Sequence, residues 1–306
     1  MKELVVVSGK GGTGKTSVSA AIAFLSRQKI LVDCDVDAAN FHLISSASIR
    51  EKYDFFAGFD PHIDETACVG CGICTELCRF KAIEKGVIIK PFQCEGCGVC
   101  AFHCPHHAIQ MKEKQAGQWF VSQTRFGALI HAELGLSVEN SGKLVSKVRQ
   151  EAKKIAAKQS LPLVLTDGPP GIGCPAIAAL SGASMALAVV EPSESGVHDL
   201  KRLVQLVAHF KLPLCVCINK STLHLENTQK IISWCQTKGI SVAGKLPYSD
   251  GFRYAVQEGK TILEIPGYEE EKEAVKNLWN NVVKELRLSF GEGKLSYVKE
   301  KVQALF

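Results

Sequence analysis

The sequence contains no run of eighteen apolar residues, the length a membrane-spanning helix needs. Aromatic residues contribute only 7% of its 306 residues, and the charge surplus is a modest +5. A surplus that small nominates neither nucleic acid nor an anionic surface as a partner. Nothing at the N-terminus reads as an export signal, because Met1-Lys2 leads straight into an apolar run. A reducing cytoplasm is therefore expected, where the thirteen cysteines would stay reduced or bind metal rather than form disulfides. Its length suffices for one large α/β domain with a small insert or for two modest domains, and the 46% hydrophobic content fits a substantial buried core.

Residues 4–8, LVVVS, form a β-branched run, and the next eight read GKGGTGKT. This is G-x₄-G-K-T with a buried strand before it and a helical pattern, Ser17 to Gln28, after it. Gly9, Gly11, Gly12 and Gly14 let successive backbone N–H groups converge on phosphate oxygens around Thr13. The helix that follows adds its positive dipole end beside Ser17. Lys15 is expected to reach the β- and γ-phosphates, and the Thr16 hydroxyl to ligate Mg²⁺. ATP with Mg²⁺ is the expected ligand.

Lys10, directly after the first glycine, makes the loop KGGxGKT, which resembles the deviant Walker A loop of the ParA/MinD/nitrogenase-iron-protein superfamily. The resemblance implies that Lys10 crosses to a partner's nucleotide in an ATP-bound homodimer. It extends to ILVDCDVDAAN at 30–40, similar to switch I, with Asp35 orienting the attacking water and contributing to the Mg²⁺ site. VLTDGPPGIG at 164–173 resembles switch II, with Asp167 holding Mg²⁺ through water. CINK at 217–220 and LPYSD at 246–250 resemble the base-recognition segments, with Asn219 reading adenine and Pro247 and Tyr248 packing beside it. The implied activity is a slow ATPase awaiting a partner, with Lys10, Lys15 and Asp35 as its catalytic residues. All these motifs follow apolar runs, and in open α/β sheets ligands lie outside the carboxyl ends of strands.

Between about Pro61 and Met111 cysteine and glycine rise and the helix–strand rhythm lapses. Cys68, Cys71, Cys74 and Cys78, then Cys94, Cys97, Cys100 and Cys104, each read C-x₂-C-x₂-C-x₃-C, repeating at an offset of 26 residues. The spacing is that of bacterial ferredoxins that carry two [4Fe–4S] clusters. That resemblance implies one cluster on Cys68, Cys71, Cys74 and Cys104 and another on Cys94, Cys97, Cys100 and Cys78. Zinc is the alternative, but zinc sites take four ligands in two pairs rather than two runs of four. Where ferredoxins carry proline after the last cysteine of each run, this chain has Pro105 once and Arg79 once. His103, His106 and His107 read as neighbours of the second run rather than ligands.

Cys34, Cys215, Cys217 and Cys235 sit in apolar contexts and read as small buried hydrophobes. Cys174 lies seven residues past Asp167, as in the nitrogenase iron protein, so a bridging cluster, a transient thiol ligand and a structural role all stay open. Residues 119–123 and 127–134 read as strands, 139–159 as a helix, and LPLVLTD, MALAVVE and LPLCVCIN as buried parallel strands with helices at 196–210 and 226–238 between them. A C-terminal helix with Leu295, Val298, Val302 and Leu305 on one face is expected to dock on its own domain rather than on a membrane.

The expected architecture is an α/β fold, a mostly parallel sheet flanked by helices, over 1–60 and 111–290. A small ferredoxin-like α+β insert over 61–110 and a tail helix over 291–306 complete it. Three functions compete: an ATP-driven electron-transfer device serving a redox partner, an assembly or carrier ATPase for an apoprotein client, and a MinD- or ParA-type positioning ATPase. No nucleic acid is expected to bind.

Overall fold

The computed structural model describes residues 1–37, 39–84, 88–90, 92–135 and 141–287. The expected tail helix over 291–306 lies outside them. The order is β1 (Lys2–Ser8), α1 (Lys15–Leu25), β2 (Lys29–Asp33), α2 (Phe41–Ile44), β3 (Ser48–Ile63), α3 (Ile73–Leu77), β4 (Ile83–Glu84) and β5 (Ile88–Ile89). Then come α4 (Val99–Phe102), β6 (Ile109–Thr124), β7 (Gly127–Leu134), α5 (Ser141–Lys158), β8 (Leu163–Pro170), α6 (Cys174–Leu180) and β9 (Met185–Val190). The chain continues through α7 (Glu194–His209), β10 (Leu214–Ile218), α8 (Leu225–Thr237), β11 (Ser241–Lys245), α9 (Asp250–Gln257) and α10 (Glu269–Leu286).

Nine strands form one sheet in the order β11-β10-β9-β1-β8-β2-β7-β6-β3. β1 pairs in parallel with β8 and β9, β10 with β9 and β11, and β2 with β8 and β7. Burial on both faces explains the unbroken apolar spelling of these strands: Leu4 to Val7 and Met185 to Val189 are essentially inaccessible. Cys34, Cys215, Cys217 and Cys235 are buried among them. Burial pushes the Cys215 thiol up to about 12 and the Cys235 thiol to about 11, so both remain protonated packing residues.

One buried polar cluster ties helix α5 to the sheet. Arg149 Nε and Nη2 donate to the two carboxylate oxygens of Glu3 at 2.7 and 2.6 Å, and Thr166 Oγ1 donates to the first at 3.1 Å. The same guanidinium donates to the Ser181 carbonyl at 2.8 Å. The bidentate fork suits arginine and not lysine.

The chain divides into two compact units. Residues 1–52, 119–133 and the segment from Ser141 form the first; residues 53–118 with the segment beginning at Leu134 form the second. The second is wider than the 61–110 read from cysteine and glycine content, because β3 and β6 each run sixteen residues. β3 hides that length in sequence: most of its residues are exposed, so its spelling lacks the alternation that marks a half-buried strand. Likewise α1 ends at Leu25, short of Gln28. Within the second unit the 26-residue repeat is visible in the backbone. Gly72 and Gly98 precede α3 and α4 with φ of 78° and 76°, and Lys81 and His107 share φ near 50°.

His131 on β7 is stacked between His42, 5.7 Å away, and Phe120, 5.0 Å away, and shares a 2.9 Å hydrogen bond with Ser122. Burial, with a smaller contribution from His42, lowers its pKa from 6.5 to about 4. The fold thus requires a neutral ring. Its contribution to stability is complete above the unfolded value of 6.5 and is lost as pH falls toward 4, up to about 3 kcal/mol at 1.36 kcal/mol per unit. Urea unfolding of the wild type should weaken over that window by that much more than unfolding of His131→Gln; equal slopes would remove the assignment.

Candidate nucleotide site and cysteine unit

β1 ends at Ser8, and the chain turns through Gly9 to Gly14 into α1. Gly14 caps the helix in the left-handed region, φ 86°, and a side chain there would meet Asn219 Nδ2 at 2.3 Å. The turn draws Lys15 inward until only 6% of its side chain is exposed. Its Nζ stands 2.9 Å from Asp167 Oδ2, at ion-pair distance but without a hydrogen bond. Thr13 Oγ1 is also buried without a partner. A paired ammonium with further N–H donors to offer and an orphaned hydroxyl at the start of a helix are what an anionic oxygen would satisfy. Burial alone would discharge Lys15, yet Asp167, Asp33 and Asp35 together hold its pKa above the ordinary value. It stays a cation.

The carboxylates come from neighbouring strand ends. β2 and β8 pair in register with Asp33 beside Asp167. Asp167 Oδ2 accepts from Thr16 Oγ1 at 2.8 Å and Oδ1 from Ser19 Oγ at 2.6 Å. Asp33 accepts the backbone N–H groups of Asp35 at 3.0 Å and Phe41 at 3.2 Å. Burial, then the Asp167 charge, push Asp33 up to about 7 against the pull of Lys15. Asp35 is half-buried one step further along. Thr16, Asp167 and Asp35 fit a Mg²⁺ ion, which takes one or two carboxylates and fills its shell with water and substrate phosphate. Sequence reading missed Asp33 and Ser19. The first acid of D-x-D and a hydroxyl one turn after Thr16 were the available signals.

Lys10 does not point into the loop. Its Nζ lies 2.7 Å from Glu191 Oε1 and donates to Ser195 Oγ at 2.8 Å and Ser193 Oγ at 3.2 Å. Asn219 Nδ2 donates to the Thr13 carbonyl at 2.7 Å, so this amide braces the loop. Ser17 is half-buried on α1, Pro247 is half-buried, and Tyr248 is exposed with its N–H given to Thr222 Oγ1 at 3.0 Å.

In the second unit a cavity of about 490 Å³ is lined by Cys68, Cys71, Cys74 and Cys104. These are three thiols of the first run and the last of the second. Cys71 and Cys97 are exposed, and the other six thiols of the two runs are half-buried, again at the 26-residue offset. Ala82 N–H approaches Cys78 Sγ, and Ala108 N–H approaches Cys104 Sγ, both at 3.3 Å. Burial raises the Cys100 pKa, with Cys94 and Cys97 adding to it, so these three thiols are close enough to feel one another. No three histidine, cysteine or acidic side chains among the described residues gather tightly enough for a single ion. One tetrahedral ion would need its sulfurs at about 2.3 Å from a common centre. Thiols ringed around a hollow suit the corners of a polynuclear cluster. His106 lines the same cavity, while His103 and His107 are exposed. Cys174 is exposed at the start of α6.

Comparison with known proteins identifies the family of this chain. Residues 4–262 match the CobQ/CobB/MinD/ParA nucleotide binding domain. The uncharacterized protein MJ0578 of Methanocaldococcus jannaschii is 34% identical over 228 residues, 74% of this chain and 80% of that protein. The septum site-determining protein MinD of Bacillus subtilis is 25% identical over 272 residues, 86% of this chain and 82% of that protein. The fold matches the solved structure of Pyrococcus horikoshii MinD complexed with Mg-ADP, with a TM-score of 0.56, 18% identity and coverage of 92% and 96%. Aquifex aeolicus MinD in its MinC:MinD complex gives 0.56 at 17% identity, covering 96% and 99%. With its phosphate loop, inward lysine and paired strand-end carboxylates, this chain belongs to the ParA/MinD superfamily of nucleotide-binding P-loop ATPases.

Proposed function

We propose that this ATPase is an iron–sulfur protein in which ATP-dependent pairing of two copies is coupled to electron transfer through two [4Fe–4S] clusters. The observation that carries this reading is the cavity lined by Cys68, Cys71, Cys74 and Cys104 in the same chain as an unsatisfied phosphate loop. Cys94, Cys97, Cys100 and Cys78 would hold the second cluster. The clusters, when bound, supply one-electron chemistry; the chain's own residues bind and orient. Lys15 and the loop N–H groups hold the phosphates. Thr16 and Asp167 hold Mg²⁺, and Asp35 turns a water toward the terminal phosphorus. Lys10 belongs to the deviant form of the loop and reaches the nucleotide of a second copy. Asn219, with Pro247 and Tyr248, accommodates adenine. The segment after Asp35 leads through β3 into Cys68, so motion at the switch is transmitted along the chain into the cysteine unit.

Two other readings have specific support. The septum site-determining relatives favour a positioning ATPase. A cofactor assembly or carrier ATPase would also unite nucleotide and cysteines, but a carrier needs labile ligands, and eight thiols at ferredoxin spacing favour clusters that stay. No described helix is long and apolar enough to cross a membrane.

Lys15→Ala should weaken ATP binding by roughly 10- to 100-fold in calorimetry, the loss expected for a charged hydrogen bond to phosphate. Asp35→Ala should keep ATP and lose its hydrolysis. Anaerobically reconstituted protein should carry about eight irons per chain. Cys104→Ser should abolish one cluster's electron paramagnetic resonance signal and leave the other. A protein that reconstitutes with zinc alone, or a Cys104→Ser variant that keeps both signals, contradicts the assignment of Cys104 as a cluster ligand. The reduction potential of the wild type should move on exchanging ADP for ATP, each 59 mV being tenfold in the one-electron equilibrium; a potential indifferent to nucleotide would leave the positioning reading in front.

A further inference from the structure

The turn between β6 and β7 carries Arg125, whose guanidinium serves three separate segments of the first unit. Nε and Nη2 donate to the Ile44 carbonyl at 3.2 and 2.9 Å, at the C-terminal end of α2. Nη2 also donates to the Gly259 carbonyl at 3.0 Å, just past α9, and Nη1 pairs with the Glu264 carboxylate. The Arg125 backbone N–H adds a bond to the Ser45 carbonyl at 3.2 Å. Glu264 is itself fixed, because its Oε2 accepts from the Thr261 N–H at 2.8 Å and from Thr261 Oγ1 at 2.9 Å. The guanidinium stands 4.2 Å from the centre of the Phe126 ring, which meets Phe24 of α1 edge-on at 6.4 Å. A planar fork of donors can span these acceptors; an ammonium cannot.

We infer that Arg125 is a positioning residue that ties both nucleotide-facing segments to β6, the strand that comes from the cysteine unit. This rests on the proposed coupling of nucleotide to the clusters and names the side chain that carries it. α2 follows the Asp35 segment, and α9 follows Pro247 and Tyr248. α2 spans only four residues, too few for a helix that is stable by itself, so its place is set at its ends. At one end the Phe41 N–H is bonded to Asp33; at the other are the Ile44 and Ser45 carbonyls that Arg125 holds. A Mg-nucleotide alters the charge balance at Asp33, and movement of Phe41 is then delivered to Arg125 through one helical turn. β6 begins at Ile109, within the cysteine unit, and ends at Thr124, one residue before Arg125. Movement of α2 therefore reaches the cysteines along two strands, β3 directly and β6 through Arg125. Sequence reading passed over Arg125 because its acceptors lie 81 and 134 residues away and are backbone carbonyls, which have no spelling.

The test is the affinity of a non-hydrolysable ATP analogue with Mg²⁺, by calorimetry on anaerobically reconstituted protein, with the clusters oxidised and then reduced. Linkage makes this affinity ratio equal to the effect of nucleotide on the clusters, and a coupled wild type should show about 5- to 150-fold. Arg125→Gln should keep both cluster signals in electron paramagnetic resonance and bring the ratio to within about twofold of one. A merely structural role would weaken binding equally in both redox states and leave the ratio unchanged. Arg125→Lys keeps a cation beside Glu264 but not the fork, so it should lose the ratio as well, and it serves alone should Arg125→Gln fail to fold. If the wild-type ratio departs from one and the folded variants keep it, Arg125 is not the link and the coupling stands. If the wild-type ratio is itself one, the coupling is wrong and the role of Arg125 falls with it.

Discussion

Asp167 is a carboxylate without access to water, held by Thr16, Ser19 and the Lys15 ammonium. The geometry of the nucleotide site hangs on it. Leaving such a charge unpaired in a protein interior costs several kcal/mol, so its three partners are fixed relative to β8. They all lie on the first turn and a half of α1, and fixing them fixes the phosphate loop in front. Asp33 beside it makes the balance more demanding. Two buried carboxylates face one buried ammonium, and Asp35 adds a third acid at the rim. The unliganded site therefore has spare negative charge, which alone would repel a nucleotide. A divalent cation resolves the excess, which is the electrostatic reason for expecting Mg-nucleotide rather than nucleotide alone.

The same charge logic separates the two lysines of the loop. Lys15 is buried against acids of strands on one side of β1 and has no freedom to leave. Lys10 is partly exposed against Glu191, the residue that follows β9, the strand on the other side. One loop thus carries one buried cation and one partly exposed cation, and β1, which lies between β8 and β9, is why both are within reach of it.

Much of this was legible in sequence, for physical reasons that differ by region. The parallel strands spelled themselves out because burial on both faces leaves no polar positions, and the loop because only glycines permit its dihedrals. β7 was read at its true limits, Gly127–Leu134, since a two-residue connection and a change of composition bracket it. β3 escaped because an exposed strand carries no burial period. Ser19 and Glu191 escaped because their roles depend on partners 148 and 181 residues away, Asp167 and Lys10. Local spelling cannot report such a pairing.

The second unit follows a different rule of stability. Its buried apolar side chains among the described residues are Pro61, Ala82, Ile83, Ala108, Ile109 and Ala116, four of which are two pairs at the 26-residue repeat. Against that small interior it leaves Phe56, Phe59, Phe92 and Phe102 largely exposed. A core of six small or medium residues cannot offset the conformational entropy of ordering several dozen, so a unit of this size needs a staple. The thiols sit where a staple would act: each run wraps one short helix, and the cavity joins the first run to the end of the second. Binding a cluster there would tie the two halves together, making metal affinity and folding the same free energy. If they hold the proposed clusters, the cysteines would be at once ligands and the missing core, and a chain without iron would lose order in the second unit while the first, with its own deep interior, keeps its fold.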